Sequence, residues 1–274
     1  MVRAERPLSG ITRAATALGD SRAMPDLAWL AELLPDGADG VESALAEVGD
    51  LEPVERTIRV RHLSGGREFY AQFRAPFELY ALVRVLRPEH VIETGVSSGV
   101  SSAHLLLALE RNGRGTLHSI DNPVQQLGPS LEEKESPVAL PPGRHPGWAV
   151  PEELTHHWDL RIGRSEEELP PLVRQLPSIG LFLHDSLHTP AHLTFELTTV
   201  RPKLVPGAVV LADNTEWTGR AFERFATSVG APVFHRGGSD LVGLRVPSPG
   251  AAKPLPPKSR STVPKRARTT KRKR

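Results

Sequence analysis

The chain is predicted to fold as an α/β domain on a doubly wound, mostly parallel sheet, and three observations carry that prediction. Short strand-like segments over 90–96, 116–122, 157–163, 179–185 and 208–214, the last two opening on continuous apolar runs, alternate with segments of helical period. Continuous apolar runs of this length are strands buried on both faces, as in a parallel sheet covered by helices. Glu93, Asp121, Asp185 and Asp213 all fall near the carboxyl ends of those runs, which is where such sheets bind ligands. The first run turns into a helix through Gly95-Val96-Ser97-Ser98-Gly99, a glycine turn whose backbone N–H groups can face a ligand.

Taken in order, Leu27, Leu30, Leu33 and Leu34 recur at helical spacing and residues 41–52 continue in that style, giving an N-terminal helical addition over 1–69. Residues 75–88 read as one amphipathic helix ended by Pro88. The strand at 90 is followed by a helix over 100–113 closed by Gly113, and the strand at 157 by a helix over 165–176. A helix over 190–204 passes through Pro206-Gly207 into the last strand. The 36 residues between Asp121 and Trp158 contain no convincing element, and residues 141–154 read as a lid, with Trp148 either closing over a ligand or packing. Tyr70 and Phe73, ahead of the glycine turn, are placed to cover a ligand from the other side.

Composition agrees with a folded domain. Of 274 residues, 39% are hydrophobic and 24% charged, so the chain can bury a core. The absence of cysteine excludes disulfides, thiolate zinc sites and cysteine nucleophiles. No apolar run approaches the roughly 18 residues of a membrane span, and the first 20 residues lack a secretion signal's apolar stretch, so the cytoplasm is the expected location and no membrane partner is expected. Residues 251–274 hold ten Lys or Arg and no acid, which leaves 24 basic against 32 acidic residues in the first 250. Residues 249–274 therefore read as a disordered basic tail, either an arm for a polyanion such as nucleic acid or a solubilising segment.

The glycine turn lacks the second glycine of a dinucleotide fingerprint, since Ser97 stands there. Asp121 follows Gly99 by 22 residues at the end of the next strand, where a carboxylate can accept both hydroxyls of a ribose. With Glu93, Gly95 and Gly99 in this arrangement, residues 70–246 resemble the class I S-adenosylmethionine-dependent methyltransferases. The resemblance implies a Rossmann-like sheet of seven strands over 70–248 and S-adenosylmethionine as cofactor. Gly95, Ser97 and Ser98 would cradle its methionine moiety, Asp121 its ribose, and Gly163 to Glu166, Ser165 included, would border the adenine. Glu93, Gly99 and Asp185 complete the expected cofactor contacts.

Asp185 ends the fourth strand and Asp213-Asn214 the fifth, so adjacent strands bring three oxygen ligands to one rim. That donor set suits a hard cation such as magnesium, which would lower the pKa of a substrate hydroxyl and orient it. The 28-residue separation resembles the metal-dependent catechol-type O-methyltransferases, which implies Asp185, Asp213 and Asn214 as metal ligands. Aspartates at these strand ends also occur in metal-free relatives, where they touch the cofactor or cap a helix. His188 stands where the catechol-type family has a catalytic lysine. An imidazole, with a reference pKa near 6.5, can take a hydroxyl proton at neutral pH, so His188 and Asp185 are the expected catalytic residues. His188 and His192, at i, i+4, also permit a zinc reading, which the absence of an H-E-x-x-H motif disfavours.

The expected activity is methylation of a small molecule at an oxygen, by a chain that forms a homodimer. Methylation of a macromolecule recruited by the tail, and a non-catalytic nucleotide-binding or scaffold protein, are the alternatives. Truncation after Gly250 is expected to leave the melting temperature and cofactor affinity unchanged while abolishing any polyanion binding at low salt. A large fall in melting temperature would show that the tail packs.

Overall fold

The computed structural model describes residues 25–66, 73–123, 140, 141 and 143–248. The tail, the first 24 residues, Tyr70, residues 124–139 ahead of the expected lid and Pro142 within it lie outside the described residues. Helices α1 (Leu27–Leu33), α2 (Ala38–Glu47), α3 (Glu52–Leu63) and α4 (Pro76–Leu86) precede strand β1 (His90–Thr94). Then come α5 (Val100–Asn112), β2 (Thr116–Asp121), β3 (Trp158–Ile162), α6 (Ser165–Gln175), β4 (Ile179–His184), α7 (Pro190–Val200), β5 (Leu204–Ala212), α8 (Ala221–Val229), β6 (Phe234–His235) and β7 (Val242–Arg245). The strands form one seven-stranded sheet in the order β3-β2-β1-β4-β5-β7-β6. Neighbours from β3 to β5 run parallel, and β7 pairs antiparallel with both β5 and β6. The expected doubly wound, mostly parallel sheet is thus the observed one.

Alternation along the strands divides the core in two. Val91, Leu117, Leu181, Leu183, Val209 and Leu211 pack with the residues of α1–α5. Their strand neighbours Ile92, Ile120, Phe182, Val210 and Ala212 pack with α6, α7 and α8 on the opposite face. Each fully buried Phe or Leu in these layers contributes about 1.5–3 kcal/mol by leaving water.

The N-terminal helices complete the first layer. Trp29 is buried and donates its Nε1–H to the Phe234 carbonyl at 3.1 Å, tying α1 to β6. Gly243 of β7 makes room for this, because a Cβ there would stand 2.9 Å from Leu211 and 3.1 Å from both Leu33 and Trp29. The α3 helix lies inside the expected N-terminal helical addition, but its own residues gave no separate helix pattern. Its buried side chains are Glu55 and Ile58, so it has almost no apolar period, and it is held instead by an ion pair between Glu55 and buried His104 of α5 at 2.9 Å. On α2, Glu47 accepts from the Tyr80 hydroxyl at 2.6 Å and from Arg84 at 2.7 and 2.9 Å.

Glu78 on α4 and Arg236 beyond β6 form a buried ion pair at 2.6 Å, and Glu78 also accepts from the Asp26 amide at 3.1 Å. Breaking a buried pair strands a charge, whereas replacing both partners by apolar groups does not. Glu78→Leu is expected to lower the urea-unfolding free energy by about 3–5 kcal/mol. The double variant Glu78→Leu/Arg236→Met should recover most of that loss, and equal losses in both would show that the pair acts only through packing volume.

Candidate active site

A cleft of about 610 Å³ opens at the carboxyl ends of β1, β2, β4 and β5. The turn after β1 forms its floor. Gly95, Ser97 and Gly99 have φ of 86°, 48° and 87°, so a left-handed residue stands at every second position. Ser97 is a serine where this backbone favours glycine, a local strain of the kind that collects at functional sites. Asp121 relieves it from the side, its Oδ2 accepting the Val96 and Ser97 amides at 2.7 and 2.8 Å. Burial pushes the Asp121 carboxyl above its ordinary value despite these two bonds, and Asp185 adds to the rise.

Two expected contact residues lie behind the cleft. Glu93 is fully buried beneath the turn, where its carboxylate accepts the hydroxyls of Ser101, Ser102 and Ser119 at 2.5, 2.6 and 2.7 Å. Burial pushes it up to about 7 although the three hydroxyls oppose this, and its role is to fix the start of α5. Gly163 packs against Glu168, 2.8 Å from where a Cβ would stand, and leaves the cleft wall to Arg164, Ser165 and Glu166. Gly95 lines the cleft, yet what forbids a side chain there is protein: a Cβ would stand 1.8 Å from the Asp185 carbonyl oxygen. The glycine lets the end of β1 run against the end of β4.

The described part of the expected lid is a strap docked on the turn. Gly147 and Ala149 donate their amides to the Ser97 and Ser98 carbonyls, both at 2.8 Å. Gly99 admits this contact, since a Cβ would meet Gly147 Cα at 2.7 Å. Trp148 takes the packing role. It is buried, donates Nε1–H to the Arg61 carbonyl at 3.1 Å, and does not line the cleft. Phe73 and Leu140 do line it.

Asp185, His188, Asp213 and Asn214 gather on the acidic side of the cleft as expected, joined by Glu216 and Asp240. His188 Nε2 stands 3.5 Å from Asp185 Oδ1, an ion-pair distance rather than a good hydrogen bond. Burial and the neighbouring Asp185 push Asp213 up to about 7. Asn214 adopts φ 50°, the left-handed turn that ends β5.

His188 and His192 do not share a helix face, because α7 begins at Pro190. His192 is spoken for: its Nε2 lies 2.9 Å from Glu196 and its Nδ1 3.1 Å from Glu166. Glu196 is a functional-looking residue that the sequence reading missed. Fully buried on α7, it also accepts from Thr94 at 2.8 Å, His184 Nδ1 at 2.7 Å and Ser186 at 3.0 Å. Burial alone would raise its carboxyl, but His184 and His192 hold it well below the ordinary range. Burial likewise lowers His192, and Glu196 and Glu166 outweigh it, so His192 is raised. The i, i+4 spacing of His192 and Glu196 was the available signal.

Comparison with known proteins follows this geometry. Residues 92–215 match the family model of a methyltransferase domain. No curated protein sequence matches the chain. A protein of Klebsiella pneumoniae designated an O-methyltransferase is similar in structure at 17% identity, with 71% of this chain and 90% of that one covered and a TM-score of 0.50. So is the O-methyltransferase TomG of Streptomyces achromogenes, involved in tomaymycin synthesis and crystallised in complex with SAM: 17% identity, 71% and 89% covered, TM-score 0.50. At such identity the likeness concerns the fold. Sheet order and the structural likeness show a Rossmann-like fold of the kind the sequence resembles, and residues 92–215 within it match the methyltransferase-domain model. No helix among the described residues is long and apolar enough to cross a membrane.

Asp213, with an ordinary value of 3.8 and a folded value of about 7, keeps a proton in the folded protein that the unfolded chain releases. This favours folding below the ordinary value, and the advantage is lost as pH rises to about 7. Without divalent cations, Asp213→Asn is therefore expected to raise the melting temperature, relative to wild type, more at pH 8 than at pH 4.5. An equal effect at both would contradict the burial of an ionising carboxyl.

Proposed function

We propose that the chain is an S-adenosylmethionine-dependent methyltransferase that methylates an oxygen of a small molecule, as a cytoplasmic homodimer. The observation that carries this reading is the cleft itself, where the glycine turn, the half-buried carboxylate of Asp121, and an acidic rim bearing a histidine meet. The domain match and the fold shared with TomG, an O-methyltransferase crystallised with SAM, support it. The cleft also suits the cofactor: the buried Ser97 Oγ has no hydrogen-bond partner among the described residues, and such a group calls for a polar ligand.

In this reading Gly95 to Ser98 receive the methionine moiety. Asp121, whose Oδ2 also holds the turn, would hold the ribose, and Arg164 to Glu166 would border the adenine. The cofactor supplies a methyl group on a sulfonium, already a good leaving group. The protein's residues then have to hold an acceptor oxygen in line and take its proton, so positioning carries much of the catalysis. His188 is the proposed base, standing at the cleft beside Asp185. Asp185, Asp213 and Asn214 fit magnesium, because they offer oxygen donors and because a cation between the two aspartates would offset the repulsion by which Asp185 raises the Asp213 carboxyl. Bound there, magnesium would acidify and orient the acceptor hydroxyl. A polyanion contact through the basic tail remains part of the proposal, on residues outside the described ones.

Incubation with methyl-labelled cofactor and a cell extract tests the assignment: label is expected in a low-molecular-weight product, and label only in protein or nucleic acid would favour a macromolecular substrate. With that product as readout, His188→Ala is expected to lose about 100- to 10,000-fold in turnover while still binding cofactor. Chelation should abolish turnover and added magnesium restore it. Turnover indifferent to the chelator but lost in His188→Ala would instead define a metal-free, base-driven transferase.

A further inference from the structure

At the opposite end of the sheet from the cleft, Glu110 in the last turn of α5 meets His156 and His157, which end the 3-10 turn leading into edge strand β3. They are the one trio of His, Asp or Glu among the described residues whose ligand atoms all lie within 4.8 Å of one another. His156 Nε2 is 2.7 Å and His157 Nε2 3.4 Å from the same atom, Glu110 Oε2.

Hydrogen bonding fixes the tautomers. His156 Nδ1 lies 2.8 Å from the Glu153 carbonyl and His157 Nδ1 2.9 Å from the Gly115 carbonyl. A carbonyl oxygen only accepts, so each Nδ1 carries a hydrogen, and in the neutral ring each Nε2 presents its lone pair. Two lone pairs and a carboxylate oxygen then converge on one point, an arrangement that repels unless a proton or a metal cation occupies it. An imidazole that gives its other N–H to a backbone carbonyl is also the usual support of a metal-bound histidine. Ligands of a tetrahedral zinc, bound at about 2.0–2.1 Å, stand about 3.3 Å apart; the 3.4 Å separation of His157 from Glu110 meets that value, and the 2.7 Å separation of His156 would lengthen towards it on binding.

We propose that Glu110, His156 and His157 bind a zinc-class divalent cation, with water in the fourth position, as a staple between α5 and the start of β3. Two imidazoles and one carboxylate select zinc or cobalt over magnesium. The exposure of His156 (56%) and Glu110 (45%) leaves an entry path for the ion.

The test uses the untagged full chain, stripped of metal and held at pH 7.5, titrated with Zn²⁺ alone in a calorimeter and with Co²⁺ in an absorption spectrometer. The expected result is one equivalent of Zn²⁺ bound with micromolar or tighter affinity, a tetrahedral Co²⁺ spectrum, and a melting temperature raised by a few degrees. His156→Ala/His157→Ala should lose all three, Glu110→Gln should weaken binding at least tenfold, and Asp213→Ala should keep them. Should the double variant fail to fold, His156→Ala alone, at a half-exposed position, is expected to weaken binding at least tenfold. Absence of zinc binding by the wild type, or binding unchanged in the histidine variants, would overturn the proposal and leave Glu110 as an ordinary partner of protonated histidines.

Discussion

Asp121 accepts the Val96 and Ser97 amides at 2.7 and 2.8 Å, while Glu93, directly beneath, takes three hydroxyls from α5 and β2. The turn between them is thus pinned from the side by a half-buried carboxylate and from below by a fully buried one. Without those bonds the left-handed conformations of Ser97 and its flanking glycines would have little to hold them. The strap at Gly147 and Ala149 docks on carbonyls that this turn presents. One face of the cleft therefore inherits its shape from two acidic side chains, each of which burial drives upward in pKa.

The opposite wall solves a different electrostatic problem. Asp185 and Asp213 crowd one another at the ends of β4 and β5, with Glu216 adding to the negative field. One strand position earlier, His184 points to the other face and meets Glu196, which His192, Thr94 and Ser186 also reach. Charge is compensated by two histidines at Glu196 and only partly, by His188, at the rim. An acidic rim beside an internally neutralised layer favours a cationic guest, whether a metal ion or the positive end of a cofactor.

Much of this was legible in the sequence. The parallel core was readable because β4 and β5 are apolar on both faces and the strands β1 and β2 alternate with helices. Its site was readable because strands that run parallel deliver Asp121, Asp185 and Asp213 to a common edge. The losses have physical causes. Helix α3 buries one aliphatic side chain and is held by Glu55 and His104, so it shows no apolar period. Strand β6 has two residues, and β7 carries a glycine where Trp29 packs, so neither gave a strand pattern. Strand β5 begins at Leu204 because Pro206 and Gly207, which read as a turn, lie inside it past an irregularity in its pairing with β4. Glu93 looked like a ligand contact from its place in the motif, and only the packed structure shows the serines that occupy it.

The central claim is that the cleft is a cofactor site organised by Asp121. Calorimetric titration of the full chain with S-adenosylhomocysteine, beside the folded Asp121→Ala variant, tests it most directly. The account predicts one site in the wild type and affinity weaker in the variant by about 1.5–3 kcal/mol, the range for a hydrogen bond to a charged group. No binding by the wild type, or equal affinity in the two proteins, would contradict it.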